Sequence, residues 1–126
     1  MIRYTFTKSE KLKDKKKIDL LFKTEKGFIV SPLRVIWLET TCAHLYPVQL
    51  GISVPKKKIA KSVDRNTIKR KIRESYRKNK QSLYEILRKK NRCIVVMIIY
   101  MYRQELPYKE IEKKMIVSLQ KLGHEI

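Results

Sequence analysis

The chain has 126 residues, of which 31 are lysine or arginine and 12 are aspartate or glutamate, so its formal net charge is +19. This length suits one hydrophobic core, and we expect residues 1–126 to fold as a single domain. A hydrophobic content of 43% excludes a disordered basic tail, because that much apolar surface can offset the entropy lost on folding. The charge excess predicts a polyanionic partner such as nucleic acid.

The cysteines and the start of the chain indicate a reduced, cytoplasmic protein. Only two cysteines occur, Cys42 in an expected turn with His44 and Cys93 in an expected core strand, and the first residues lack the apolar run of a signal peptide. With His44 and His124 they do not form the paired spacings of a zinc site, so we expect no protein-held metal. The longest apolar run, residues 94–101, is well short of the ~20 residues a membrane helix needs.

The amino-terminal third predicts an arm and a helix. Residues 1–13 are basic and aperiodic, which indicates an extended arm. From Asp14, a candidate N-cap, apolar residues recur at helical spacing, and Gly27 would stop the helix. The recurring apolar residues are Ile18, Leu21 and Phe22. Leu21 is best explained by core packing, whereas both a core role and a binding role stay open for the other two.

Three strand patterns follow the helix. Residues 28–30 predict a short strand, residues 33–40 a longer one, and residues 48–54 a third that ends at Pro55. Because the second and third are joined by a short turn at 41–47, we expect them to pair as an antiparallel hairpin.

The carboxy-terminal half predicts two helical regions around a central strand. A helix capped by Ser62 or Asp64 should run to about Asn79 and resume through residues 83–87. Residues 92–102 are apolar on both alternating faces, as in a covered central strand. A last helix has a core stripe of Ile111, Met115, Leu119 and Leu122. The order α-β-β-β-α-β-α predicts an α+β fold, a two-layer sandwich of helices on a small mixed sheet.

Positive charge is concentrated in residues 56–78, where 11 lysines or arginines accompany only Asp64 and Glu74. At 100° per residue, Ile68, Ile72, Ser75 and Tyr76 share a buried face of the helix. The adjoining arc forms a cationic strip of Asn66, Lys69, Arg70, Arg73 and Arg77. Arginine suits such a strip because its planar fork can hold phosphate oxygens bidentately. RNA fits better than duplex DNA, since no helix-turn-helix, zinc or zipper pattern is present.

Several residues in this helix allow two interpretations. Asn66 could contact a sugar hydroxyl or base edge, or it could cap the first turn. Arg65 lies beside the apolar face, so a role in orienting the preceding loop competes with RNA contact. We expect Lys71 and Lys78, outside the strip, to be ordinary solvated charges.

The motif at residues 65–73, Arg-Asn-Thr-Ile-Lys-Arg-Lys-Ile-Arg, behind Gly-Ile-Ser-Val-Pro-Lys-Lys at 51–57, resembles the bacterial ribonuclease P protein component. The resemblance covers roughly residues 10–122, and Thr67 departs from it where a longer side chain is usual. It implies an accessory protein subunit, bound 1:1 to a catalytic RNA that removes the 5′ leader of precursor tRNA with Mg²⁺. It also implies a left-handed crossover between strands 48–54 and 93–102, where chain chirality alone predicts a right-handed one.

The resemblance also implies site residues. The expected RNA-binding set is Lys56, Lys57, Arg65, Asn66, Lys69, Arg70, Arg73 and Arg77. A cleft for the single-stranded leader would be lined by Ile18, Phe22 and Ile36. No catalytic protein residue is expected, and the Mg²⁺ ions would be RNA-bound.

Two other functions fit the composition to different degrees. A structural RNA-binding protein, such as a ribosomal protein, fits the charge and size equally well. A self-sufficient nuclease does not fit, because metal-assisted cleavage needs clustered carboxylates or histidines. Asp64 and Glu74 lie ten residues apart on a cationic helix instead.

Overall fold

The computed structural model describes residues 6–43 and 45–126, so His44 and the first five residues of the expected arm lie outside it. The helices are α1 (Lys15–Thr24), α2 (Ser62–Asn79), α3 (Gln81–Lys90) and α4 (Tyr108–Glu125). The strands are β1 (Gly27–Val30), β2 (Leu33–Thr40), β3 (Val48–Ser53) and β4 (Cys93–Tyr100). The expected α+β class and order are confirmed, and the resumed helix is the separate element α3.

The four strands form one mixed sheet in the order β1-β2-β4-β3. β1 and β2 pair antiparallel, as do β2 and β4, whereas β3 pairs parallel to β4. The predicted hairpin between β2 and β3 is therefore wrong. Every residue of β4 is buried, and an all-apolar strand is most stable in the centre of a sheet. This is why β4 lies between β2 and β3.

The parallel pairing of β3 and β4 requires a crossover, which α2 and α3 provide. The predicted left hand of this crossover stays a prediction.

Each face of the sheet has its own hydrophobic core. Val35 and Trp37 of β2 and the even-numbered residues of β4 pack under α2, α3 and α4. On the opposite face Ile36 and Met97 pack with Leu21 of α1 and with Leu12. The cationic helix and α1 thus lie on opposite sides of the sheet.

The helix ends follow the prediction only in part. Asp14 caps α1, its carboxylate accepting from the amides of Lys16 and Lys17. The helix ends before Gly27, which instead begins β1 where an added Cβ would collide with the backbone of β2. The predicted capping of α2 by Ser62 or Asp64 is wrong, because the N-cap is Lys61 and no side chain caps the helix.

The described part of the amino-terminal segment is folded, which corrects the prediction of an extended arm. Lys8–Glu10 forms a 3-10 helix, and the amide of Leu12 donates to the carbonyl of Leu50 at the free edge of β3. Glu10 is fully buried, and its carboxylate accepts from the Lys80 ammonium and the Tyr84 hydroxyl, each at 2.5 Å. Glu10, Leu12 and Phe6, which packs edge-to-face on Tyr76, contribute to this docking, and none of them belongs to a periodic pattern.

Cys42 and Cys93 form a disulfide with a Cα separation of 5.2 Å, so the prediction of reduced cysteines is wrong. The sheet register explains the bond. Thr40 pairs with Cys93 in the antiparallel ladder, which brings Cys42, two residues further on, to the start of β4. None of the helices in the described residues is long and apolar enough to span a membrane.

Candidate nucleic-acid interface

The helix α2 presents one buried face and one charged face, as the sequence predicted. Ile68 and Ile72 are completely buried and Tyr76 nearly so. On the other side Arg70 and Arg73 are exposed to solvent. The hydrophobic core therefore fixes the orientation of the cationic strip.

The cations of the strip differ in their partners. Lys69, Arg70 and Arg73 form no ion pair with a carboxylate of the described residues. Arg77 instead donates two hydrogen bonds to Glu74, at 3.0 and 2.5 Å. These hydrogen bonds lower the pKa of the Glu74 carboxyl below its ordinary value. The charge of Arg77 is therefore largely neutralised within the helix, and the first three residues present the available positive charge.

Lys71 is not the solvated charge that the sequence predicted, whereas Lys78 is exposed, as expected. The Lys71 ammonium donates to the Glu105 carboxylate at 2.5 Å and to the Leu106 carbonyl at 3.0 Å. Lys78 lies 5.5 Å from the centroid of the Tyr108 ring on α4. Both side chains help to join α2 to neighbouring parts of the fold.

The structure narrows the possible roles of Arg65 and Asn66, which the sequence left open. The Arg65 guanidinium donates to the carbonyls of Ile59 and Ala60, at 3.1 and 2.7 Å, so it does orient the loop before the helix. Asn66 lies in the second turn of α2 and is exposed, which rules out first-turn capping. The Thr67 hydroxyl donates to the Val63 carbonyl at 3.0 Å, within its own helix.

The basic turn before α2, residues 55–61, holds two of the expected contacts. The carbonyl of Pro55 accepts from the amides of Lys58 and Ile59, at 3.0 and 3.1 Å. Ile59 is buried and anchors the turn, while Lys56 and Lys57 are exposed. The turn thus presents its lysines at the amino-terminal end of the strip.

The three expected leader-cleft residues have different environments. Phe22 is 42% exposed on α1. Ile18 is half-buried and packs against the core beneath α1. Ile36 is only 1% exposed, because α1 covers it, so the structure does not place it on a surface with the other two.

A recess beside α1 contains cations that lie outside the expected RNA-binding set. Its volume is about 400 Å³, and it is lined by Lys8, Lys11, Lys13, Lys17 and Gln49 together with Ser9 and Asp14. The side-chain amide of Gln49 on β3 lies 3.5 Å from the carbonyl of Ser9. These lysines are close in sequence, and the docking of the amino-terminal segment on β3 places them around one recess with Gln49.

The described residues contain no group of three or more histidine, cysteine, aspartate or glutamate side chains that could hold a metal ion. What the arrangement offers chemically is positive charge on fixed elements. A mixed sheet that carries an exposed cationic helix defines a nucleic-acid-binding protein of the α+β class.

Comparison with known proteins identifies the family. The family model described as Ribonuclease P matches residues 6–123, and the chain belongs to this family. The ribonuclease P protein component of Porphyromonas gingivalis strain W83 is 35% identical over 118 residues, which cover 92% of this chain and 85% of the relative. That of strain ATCC 33277 is 37% identical over 119 residues, with the same coverage.

Solved structures of other proteins share the fold. The Staphylococcus aureus RNase P protein superposes with a TM-score of 0.71 at 20% identity, covering 90% of this chain and 94% of that chain. The RNase P protein from Thermotoga maritima gives a TM-score of 0.68 at 21% identity, covering 89% and 96%.

Proposed function

We propose that this ribonuclease P protein binds the RNA subunit of the enzyme through α2 and the basic turn, and the 5′ leader of precursor tRNA through α1. The observation that carries the proposal is the availability of three cations of the strip, Lys69, Arg70 and Arg73. Their charges lie on a helix fixed by Ile68 and Ile72, and no carboxylate of the described residues neutralises them. Such a surface can hold successive phosphates without first rearranging.

Each residue of the RNA-binding set has a distinct role in this proposal. Arg70 and Arg73 bind phosphate oxygens, and Lys69 with the turn lysines adds point charges. Asn66 contacts a 2′-hydroxyl or a base edge, since its amide can both donate and accept. Arg65 acts mainly by shaping the turn, and Arg77 contributes less because Glu74 already binds it.

The leader contact rests on α1. Phe22 presents an exposed ring on which an unpaired base can stack, and Ile18 adds apolar surface beside it. The lysine recess at the start of the same helix supplies charge for the leader phosphates. Ile36 could contact the leader only if α1 moved away from the sheet, so it is not part of the proposed contact surface.

In this proposal catalysis belongs to the RNA. Mg²⁺ ions would be bound by RNA phosphates and would activate the water that cleaves the leader. The protein, one copy for each RNA subunit, supplies binding and orientation.

Reconstitution tests the proposal. Mixed with a bacterial ribonuclease P RNA, the chain should increase leader removal at low Mg²⁺ concentration. Arg70→Ala should weaken binding to that RNA by about tenfold or more, because hydrogen bonds between charged groups are lost. It should also reduce the slope of log affinity against log salt by about 0.7 to 0.9. Arg88→Ala, an exposed arginine on α3, is the matched control and should change neither quantity.

Two results would contradict the proposal. One is leader removal no faster than with RNA alone, and the other is equal RNA affinity of the Arg70 variant and the wild type. Co-purification of the chain with ribosomal subunits instead of ribonuclease P RNA would favour the alternative, a structural RNA-binding protein.

A further inference from the structure

The loop between β4 and α4, residues 101–107, is fixed at three points. The Tyr100 hydroxyl donates to the Gln104 carbonyl at 2.6 Å. Lys71 of α2 binds both the Glu105 carboxylate and the Leu106 carbonyl. The Arg103 guanidinium donates to the carbonyl of Lys57 in the basic turn, at 3.3 Å. The loop is therefore joined to the same two elements that form the proposed RNA-binding surface.

Two adjacent side chains of this loop are exposed. Tyr102 is 42% exposed, and its ring meets that of Tyr100 edge-to-face with a centroid separation of 6.4 Å. Arg103 is exposed and forms no ion pair with the described carboxylates. An exposed aromatic ring and an available arginine on consecutive residues are a combination with which proteins bind unpaired nucleotides, by stacking the base and holding the phosphate.

A recess of about 480 Å³ separates the loop from the basic turn. Its lining includes three cations, Lys58, Lys61 and Arg103, and two carboxylates, Asp64 and Glu105. Glu105 already pairs with Lys71, so positive charge exceeds negative charge in the recess. These cations come from two segments more than 40 residues apart in the sequence, and the contact of Arg103 with the turn brings them together.

We infer that this loop is a second RNA-binding element, which holds one unpaired nucleotide with its base against Tyr102 and its phosphate at Arg103 and the turn lysines. The inference rests on the proposed function, since it extends the same RNA-binding surface beyond α2. The nucleotide can belong to the RNA subunit or to the precursor leader. Because the loop is already fixed, little conformational entropy is lost when it binds.

Three substitutions test the inference in the reconstituted enzyme. Tyr102→Ala should weaken RNA binding about 5- to 100-fold, the range found when a stacked base loses its aromatic partner. Tyr102→Phe keeps the ring and should bind like the wild type. Arg103→Gln should lower the salt slope by about 0.7 to 0.9. Arg88→Gln removes the same charge from α3 and should leave affinity and slope unchanged.

Affinity is measured for the ribonuclease P RNA alone, and then for precursor and leaderless tRNA with the assembled enzyme. Weaker binding of the RNA alone places the nucleotide in the RNA subunit. A loss confined to the precursor places it in the leader. Either result supports the inference, provided that thermal unfolding shows the variants to be folded.

If the Tyr102 and Arg103 variants match the wild type in both measurements while Arg70→Ala weakens binding, the inference is overturned and the proposed function stands. If Arg70→Ala also has no effect, both fail. An equal loss for Tyr102→Phe and Tyr102→Ala would also overturn the stacking contact, because the ring would then not be what binds.

Discussion

Glu10→Ala is expected to be the most destabilising single change outside the hydrophobic core. The carboxylate is fully buried and accepts from Lys80 and Tyr84 and also from the amide of Thr7, at 2.9 Å. The Tyr84 hydroxyl is 2.9 Å from that of Tyr76, which extends the network into α2. Removing the carboxylate leaves the ammonium of Lys80, only 2% exposed, without its buried counter-charge.

The magnitude follows from this burial. Removing one member of a buried ion pair costs about 3 to 5 kcal/mol, whereas a surface pair is worth about 0 to 1 kcal/mol. The aromatic rings of Phe6, Tyr46 and Tyr84 lie 5.2 to 6.0 Å from the Lys80 ammonium and would retain part of its stabilisation. We therefore expect about 3 kcal/mol, a large part of the ~5 to 15 kcal/mol by which a domain is usually stable.

Urea unfolding followed by the fluorescence of Trp37, the only tryptophan and a buried one, measures this loss. With an m-value of about 2 kcal/mol/M, the midpoint should fall by about 1.5 M. Glu110→Ala on α4 is the matched control, because its pair with Lys113 is on the surface, and it should shift the midpoint little. The double change Glu10→Leu with Lys80→Met should recover much of the loss, since it leaves no buried charge.

A midpoint shift for Glu10→Ala no larger than that for Glu110→Ala would refute the reasoning. It would mean that the amino-terminal segment opens at little cost and that the network does not hold it in solution.

Three further predictions concern other parts of the molecule. Phe22→Ala should reduce the preference for precursor over mature tRNA by about tenfold, whereas Leu20→Ala, also exposed on α1, should not; an equal loss on both tRNAs would argue against leader contact. Burial raises the pKa of the Tyr76 and Tyr84 hydroxyls and raises that of Tyr108 to about 12. Phenols of the unfolded chain ionise near pH 10, so stability present below pH 10 should be lost as the pH rises toward 12, and an unchanged urea midpoint at pH 11 would contradict this. Reduction of the disulfide should cost about 2 to 4 kcal/mol, and titration of two free thiols in the unreduced native protein would disprove the bond.

Periodic patterns predicted the local elements well. Helical spacing identified the buried faces of α2 and α4, because a helix that packs on a sheet must repeat its apolar residues every three or four positions. Alternation identified β2 with both ends correct. The cationic strip followed from the same projection, since charge and burial occupy adjoining arcs of one helix.

The order of the strands and the docking of the amino-terminal segment could not be predicted from periodic patterns. The insertion of β4 between β2 and β3 depends on competition among strands for the central position, which no single strand pattern contains. The disulfide depends on that register in turn. The ion pair of Glu105 with Lys71 removes one cation from those available, and it joins residues 34 apart that only the fold brings together, whereas the i,i+3 spacing of Glu74 and Arg77 is visible in the sequence.

The central position of β4 has a consequence for synthesis on the ribosome. Both ladders that join β2 and β3 into one sheet use β4, and it is the last strand to be made. A nascent chain that ends before Cys93 can form α1, α2, α3 and the β1–β2 pair, but nothing bridges β2 to β3. The basic helix is therefore complete before the sheet that orients it, and for that interval its apolar side lacks most of its final partners. Late closure through distant contacts slows folding, so the growing chain is most open to premature RNA binding or aggregation in this interval.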